Sequence, residues 1–345
     1  MDLKSNYKNF GIEGKAHFSE SISGLPIKKN YDHCVVCSSW DNRCLTLTES
    51  ELYDVNEITL IIFDNKDDNG KRDKNDSELL RWANQNFNKK NFINGKSVDV
   101  VTCFSKLADL LLKSYLNLGR PLNVLFDLST CPRYIPLSTV ARGFDLGFIK
   151  YIDFTYRECI YPTSEKGIVS GEEEIKFTKG QWSTIPISGL GSNASLSART
   201  EYIVSLGFEG NKTLQVINKA DPDSVKVLAP NPGFVKDYNS RVIDDNAELL
   251  SMFSIEPKHH VNSTAGDAIE AWSKIDNYRN ESDSDNNYVY LCAGTKAHSL
   301  ALTLSALCSD NTSVLYNLPL EHNYVDISMT NKYWLYSIVN YAIPT

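Results

Sequence analysis

LFDLSTCPR at residues 125–133 and LCAGTKAH at residues 291–298 decide the fold. Each opens with the apolar residues of a buried strand and runs into a short polar loop. Pro132 suits the first turn of a helix, where its missing N–H is not needed, and Gly294 lets backbone approach closely before cap-type residues. A hydrophobic strand that leads directly into a helix is the repeating unit of a parallel sheet covered on both faces.

Outward from LFDLSTCPR, the first half alternates. Apolar runs at 33–39, 57–65, 98–104, 122–128 and 151–156 read as strands. Segments 41–52, 76–88, 106–118 and 136–146 carry helical spacing, with leucines at 107, 110, 111 and 112 on the third. The second half repeats the order, with strands at 201–206, 224–229, 259–262, 288–293 and 313–316 and helices at 212–219, 235–253, 265–275 and 299–308. Three matches follow one another at nearly the same offset. SSWDNRCL (38–45) falls on GFEGNKTL (207–214), an aromatic, an acid and a base before a helix; NDSELL (75–80) falls on DNAELL (245–250), with Arg72 and Arg241 shortly upstream; and the two opening loops fall on each other. The expected architecture is α/β, a duplication of two tandem Rossmann-like units with mostly parallel sheets and helices on both faces. The first unit covers 1–160 and the second 198–345. Between them, 161–197 reads as a hairpin (SEKGIVSGEEEIKF) followed by a linker rich in Gly, Ser and Pro. NKYWLYSIVNYAI (331–343) reads as an apolar C-terminal element that either packs back on the sheet, the favoured reading, or serves a partner.

The chain has 345 residues, enough for two cores. Its net charge of −8 argues against non-specific nucleic-acid binding, which needs a basic surface. No stretch approaches the roughly 20 apolar residues of a membrane span, and the polar N-terminus is no secretory signal. These features place the protein in the cytoplasm. Most of its cysteines lie in apolar runs and read as reduced and buried. The Cys34/Cys37 CxxC lacks a second ligand pair, and His259 and His260 alternate on a short strand, so no metal site is expected.

In open α/β sheets, ligands bind at the carboxyl ends of the strands. At the first opening loop Ser129 and Thr130 offer hydroxyls, Arg133 a fork for phosphate or carboxylate, and the helix start its free N–H groups. At the second, Gly294, Thr295 and Lys296 are phosphate-type contacts and His298 a candidate acid or base. Ser39, Asp41 and Arg43, matched by Glu209, Asn211 and Lys212, form a third pair of loops. Asp41, Glu209, Asp127 and His298 are the candidate catalytic groups; Ser39, Arg43, Ser129, Thr130, Arg133, Gly294, Thr295 and Lys296 are the candidate ligand contacts. GTK lacks the spacing of a Walker loop, GLGSNAS (189–195) lacks the GxGxxG order, and no cofactor is expected.

DLSTCPR (127–133), CAGTKAHSLALTLSAL (292–307) and the tandem halves resemble accessory proteins of bacterial phage-defence clusters, and the architecture is similar to the CARF and SAVED ligand-sensing domains. The resemblance implies a nucleotide or other phosphorylated ligand held between the halves, and a protein partner that receives the signal. Many sensors of that class carry a fused effector domain, and none is evident in this sequence. Two other readings are a nucleotide-acting hydrolase that uses carboxylates at the strand ends, and a non-catalytic assembly subunit of a defence complex.

Overall fold

A computed structural model describes residues 2–7, 10–27, 30–50, 55–63, 70–96, 98–161, 178–191, 198–281, 286–322, 325 and 327–343. The first half contains β3 (His33–Cys37), β4 (Glu57–Phe63), α1 (Lys71–Asn86), β5 (Lys89–Gly95), α2 (Val100–Leu118), β6 (Leu122–Asp127), α3 (Tyr134–Asp145) and β7 (Ile149–Ile160), preceded by β1 (Asp2–Tyr7) and β2 (Phe10–Ser19). The second contains β9 (Thr200–Ser205), α4 (Gly210–Ala220), β10 (Ser224–Pro230), α5 (Tyr238–Asp245), α6 (Ala247–Met252), β11 (Val261–Ser263), α7 (Ala268–Glu281), β12 (Asn287–Cys292), α8 (Lys296–Leu307) and β13 (Thr312–His322). Two further strands are β8 (Thr178–Pro186) and β14 (Ser328–Asn340).

The sheets run β1-β2-β14-β7-β6-β3-β4-β5 and β11-β10-β9-β12-β13-β8. Counting strands within each repeat, β3 to β7 and β9 to β13 share the order 3-2-1-4-5. Every pairing inside these two sets is parallel. The two Rossmann-like units are therefore built alike, as the three sequence matches predict.

The half boundaries need one correction. β8 lies in the segment read as linker, yet it pairs antiparallel with β13 of the second sheet. β14 follows the second half, yet it sits in the first sheet, antiparallel to both β2 and β7. The segment between the halves thus adds a strand to the second sheet, and the end of the second half returns one to the first. The expected hairpin at 164–177 lies outside the described residues.

Local corrections have local causes. Residues 98–104 were expected to be a strand because Val98, Val100 and Val101 are β-branched; from Val100 they form the first turns of α2, whose Leu107 and Leu111 are buried, and which ends where Gly119 takes a φ of 65°. The strand is instead the polar KKNFING of β5, an edge strand that needs no apolar face. The helix expected at 41–52 is a 3-10 helix, Asn42–Glu49. The long helix expected at 235–253 breaks into α5 and α6 at Asn246, whose amide donates to the Val242 and Gly207 carbonyls. His259 closes a 3-10 turn, and the strand begins at Val261.

One hydrophobic cluster runs through both halves, from Val35 and Phe126 through Leu137 and Val140 of α3 to Leu300 and Leu304 of α8 and Val204 of β9. The other face of the first sheet packs Cys34, Val36, Ile58 and Leu60 beneath Leu79, Trp82 and Ala83 of α1. Cys34 and Cys37 thus face opposite sides of the sheet, which separates the CxxC thiols. On β2, a Cβ at Gly14 would lie 2.7 Å from Ile269 and 2.9 Å from Trp272, so the first sheet reaches over α7 of the second half. No helix among the described residues is long and apolar enough to cross a membrane.

Candidate functional site

The carboxyl ends of β3 and β6 face those of β9 and β12 across a cavity of about 270 Å³. Neighbouring central strands that send their chains to opposite faces leave a crevice at that end of the sheet; here two such crevices meet. Ser39, Asp41, Arg43, Ser129, Thr130, Arg133, Glu209, Gly294, Thr295 and Lys296 all line the cavity. Asp127 and His298 do not.

Many of these groups already have partners within the protein. The Lys296 ammonium donates to the carbonyls of Leu128, Ser129 and Cys131 at 2.9, 2.8 and 2.8 Å. All three of its protons are engaged, so it binds the opposite loop instead of being left for an anion. Burial, helped by the charges of Arg43 and Arg133, pulls its pKa down to about 8. Arg133 returns the contact, its Nη2 donating to the Gly294 carbonyl. The two opening loops thus clasp each other directly.

Asp41 caps the 3-10 helix through the Arg43 N–H and takes the Arg43 guanidinium on Oδ2 at 2.8 and 2.6 Å. Burial works against the Asp41 charge, but the Arg43 charge and hydrogen bonds hold its carboxyl below the ordinary value. Arg43 also donates to the Arg157 carbonyl. Glu209 accepts from Thr178 and Lys212. Thr130 donates to the Cys37 carbonyl and Thr295 to that of Ala265, while Thr295 caps α8 by accepting the His298 N–H. A Cβ at Gly294 would lie 2.6 Å from the Leu206 carbonyl, and one at Gly207 2.2 Å from that of Ala293. The close approach at Gly294 is thus between two strand ends.

Two catalytic candidates are displaced from the cavity. His298 is fully buried, with Nε2 3.2 Å from the Thr264 carbonyl, and burial drags its pKa down to about 4. Its ring is neutral at pH 7 and has no face on the cavity. Asp127 is also fully buried; its Oδ1 accepts from the Ser129 N–H and hydroxyl at 3.1 and 2.7 Å. Burial pushes its carboxyl up to about 6 against those bonds and the charges of Lys296 and Arg43.

What the sequence candidates omit is the aromatic wall. Phe208, Phe234 and Tyr238 meet edge to face, with centroids 4.9 and 5.2 Å apart, and Tyr156 and Tyr161 join them. The Arg72 guanidinium, also on the cavity, lies 5.2 Å from the centre of the Trp40 ring. The second half repeats this pair, with Arg241 4.6 Å over Phe208. Asn75 holds the Ser39 carbonyl as Asn246 holds that of Gly207. The aromatic-acid-base match and the two upstream arginines were the signal in the sequence; only the fold puts the rings and guanidinia together. Arg43, Arg72, Arg133 and Lys296 stand against Asp41 and Glu209 around the cavity, a positive surplus in a protein of net negative charge.

No protein-family model matches the chain, and no curated protein does. Among solved structures, a protein of unknown function from Pseudomonas aeruginosa PAO1 aligns over 84% of this chain and 94% of its own, with 8% identity and a TM-score of 0.23. A protein assigned as a universal stress protein in Pseudomonas aeruginosa UCBPP-PA14 covers the same shares at 9% identity and a TM-score of 0.23. Likeness at that level carries no argument about this site. Among the described residues, no three His, Cys, Asp or Glu side chains are grouped to hold a metal ion.

Proposed function

We propose that the protein is a nucleotide-binding module whose ligand sits between the two halves. The observation that carries this reading is the cavity itself: it lies at the carboxyl ends of both sets of central strands, has aromatic walls and holds a surplus of cationic groups. Aromatic faces take a planar base by stacking, and a buried positive surplus favours a phosphate. Binding, not turnover, is the reading the polar groups support, because Asp41 is closed on Arg43, Glu209 is tied to Thr178, and Asp127 and His298 stand outside the cavity. The resemblance of the two opening loops to phage-defence accessory proteins gives the output: the bound state is passed to a protein partner of a bacterial antiviral system.

Calorimetry with nucleoside mono-, di- and triphosphates, paired with thermal unfolding, tests this. A ligand at a hundred times its Kd should stabilise the fold by about 2.7 kcal/mol. Arg72→Leu should weaken binding about tenfold or more, the loss of one charge-assisted contact. No heat and no thermal shift across the whole panel overturns the reading.

A further inference from the structure

Among the described residues that line the cavity, the carboxylates are Asp41 and Glu209. Asp41 is used up: Oδ1 accepts the Arg43 N–H and Oδ2 takes the Arg43 guanidinium. Glu209 is used on one oxygen. Its Oε1 accepts from the Thr178 N–H, the Thr178 hydroxyl and the Lys212 ammonium. Its Oε2 has no partner among the described residues and is not buried, on a side chain that is 17% exposed.

The engaged end is firmly held. The Thr178 hydroxyl accepts from the Trp182 indole N–H and from Lys212, so its own hydrogen goes to Glu209. Three donors, one of them main-chain, therefore converge on Oε1 and leave the other oxygen open. A carboxylate oxygen accepts hydrogen bonds and donates none, so a ligand atom that meets Oε2 must be a donor. It is not the phosphate, which the same charge repels. Phe208 of the aromatic wall directly precedes Glu209, and Trp182 is joined to it through Thr178; all of them line the cavity. The open acceptor thus stands beside the rings that take the base. In a nucleotide the group bonded to the base is the sugar, and the sugar's hydroxyls are donors.

We infer that Glu209 reads a ribose hydroxyl of the bound nucleotide through Oε2 and so selects ribonucleotides over deoxyribonucleotides. This rests on the nucleotide reading of the cavity and adds the sugar to it. The two halves then divide the work of one duplicated turn: the first closes its carboxylate on an arginine, and the second offers its carboxylate to the ligand.

The test is calorimetry on the full chain with AMP, GMP, CMP and UMP, each beside its 2′-deoxy and 3′-deoxy form. Removing the hydroxyl that meets Oε2 should weaken binding about tenfold or more, the loss of a charge-assisted hydrogen bond, whatever the base. Glu209→Gln is the matching variant. The donors of Thr178 and Lys212 hold its carbonyl, so its NH2 takes the place of Oε2 and an acceptor becomes a donor. It should bind the ribonucleotide about tenfold more weakly and the deoxy form as wild type does. If that variant fails to fold, Glu209→Ala and the wild-type comparison of the three sugars decide the question. Equal affinity for all three sugars overturns the assignment and leaves the nucleotide reading standing. A ribose preference that survives Glu209→Gln also overturns it, because another group then reads the sugar. So does a loss confined to bases with an exocyclic amino group, which places the base on Oε2. Failure of every nucleotide to bind overturns both.

Discussion

Asp41–Arg43 and Glu209–Lys212 occupy the same turn of the two halves and are used differently. The first pair is closed, with side chains 7% and 5% exposed and Arg43 reaching across to the Arg157 carbonyl of β7. The second is open, a single contact of 3.2 Å with side chains 17% and 21% exposed, turned toward Thr178 of β8. The duplicated turn keeps an acid ahead of a base, but its surroundings decide what the pair does. In the first half it ties a loop to its own sheet. In the second it holds β8, the strand of the segment between the halves.

The largest expected effect tests that contrast directly. Arg43→Met leaves Asp41 as a buried unpaired carboxylate and should cost about 3–5 kcal/mol, whereas Lys212→Met should cost about 1 kcal/mol or less. Urea unfolding measures both, and equal losses would break the distinction between closed and open pairs.

A pH series compares the halves through one buried histidine in each. His298 of the second half and His33 of the first are both pulled down to about 4, chiefly by burial, with Glu57 opposing the fall at His33. A depressed folded pKa means that the unfolded chain takes the proton first. Each histidine therefore contributes stability that is intact above about 6.5 and lost as the pH falls toward 4. Asp127, raised to about 6, works in the opposite sense, favouring the fold as the pH falls through that value. Comparing wild type with His298→Gln isolates the histidine. The variant should lose less stability between pH 6.5 and 4, by up to about 3 kcal/mol. Parallel curves for the two proteins would refute a neutral buried His298.

The smallest effect concerns the clasp between the opening loops. Lys296 serves three carbonyls and Arg133 one. Lys296→Met should cost about 2 kcal/mol, the loss of its donors being partly offset by relief from burying a charge. Arg133→Met should cost about 1 kcal/mol or less. Urea midpoints that rank the two the other way would make Arg133 the main link.

The repeat was legible because its strands are buried on both faces and read as apolar runs; EITLIIF and LNVLFD could hardly be anything else. The edge strands were not. KKNFING is polar because it has one neighbour, and GQWSTIP hides its alternation behind Gly180, Ser183 and Pro186. The loops of the site were found because strand-to-helix turns are short and carry cap residues. Their use was not, since nothing local says that Lys296 meets three carbonyls 165 to 168 positions away. The aromatic wall draws on β7, β10 and β9 loops together, a convergence that no single motif records.

The exchanged strands make this molecule a braid. The chain leaves the first sheet after β7, builds the second, and returns through β14 to fill an interior place between β2 and β7. On a ribosome, that place stays empty until the second sheet has been made, and the edges of β2 and β7 wait unpaired beside it. Cutting the chain once, at either passage between the sheets, leaves the other passage as a tether. A cut there would nick the protein without freeing a half, and a half expressed by itself would expose the strand edges that invite pairing with another chain.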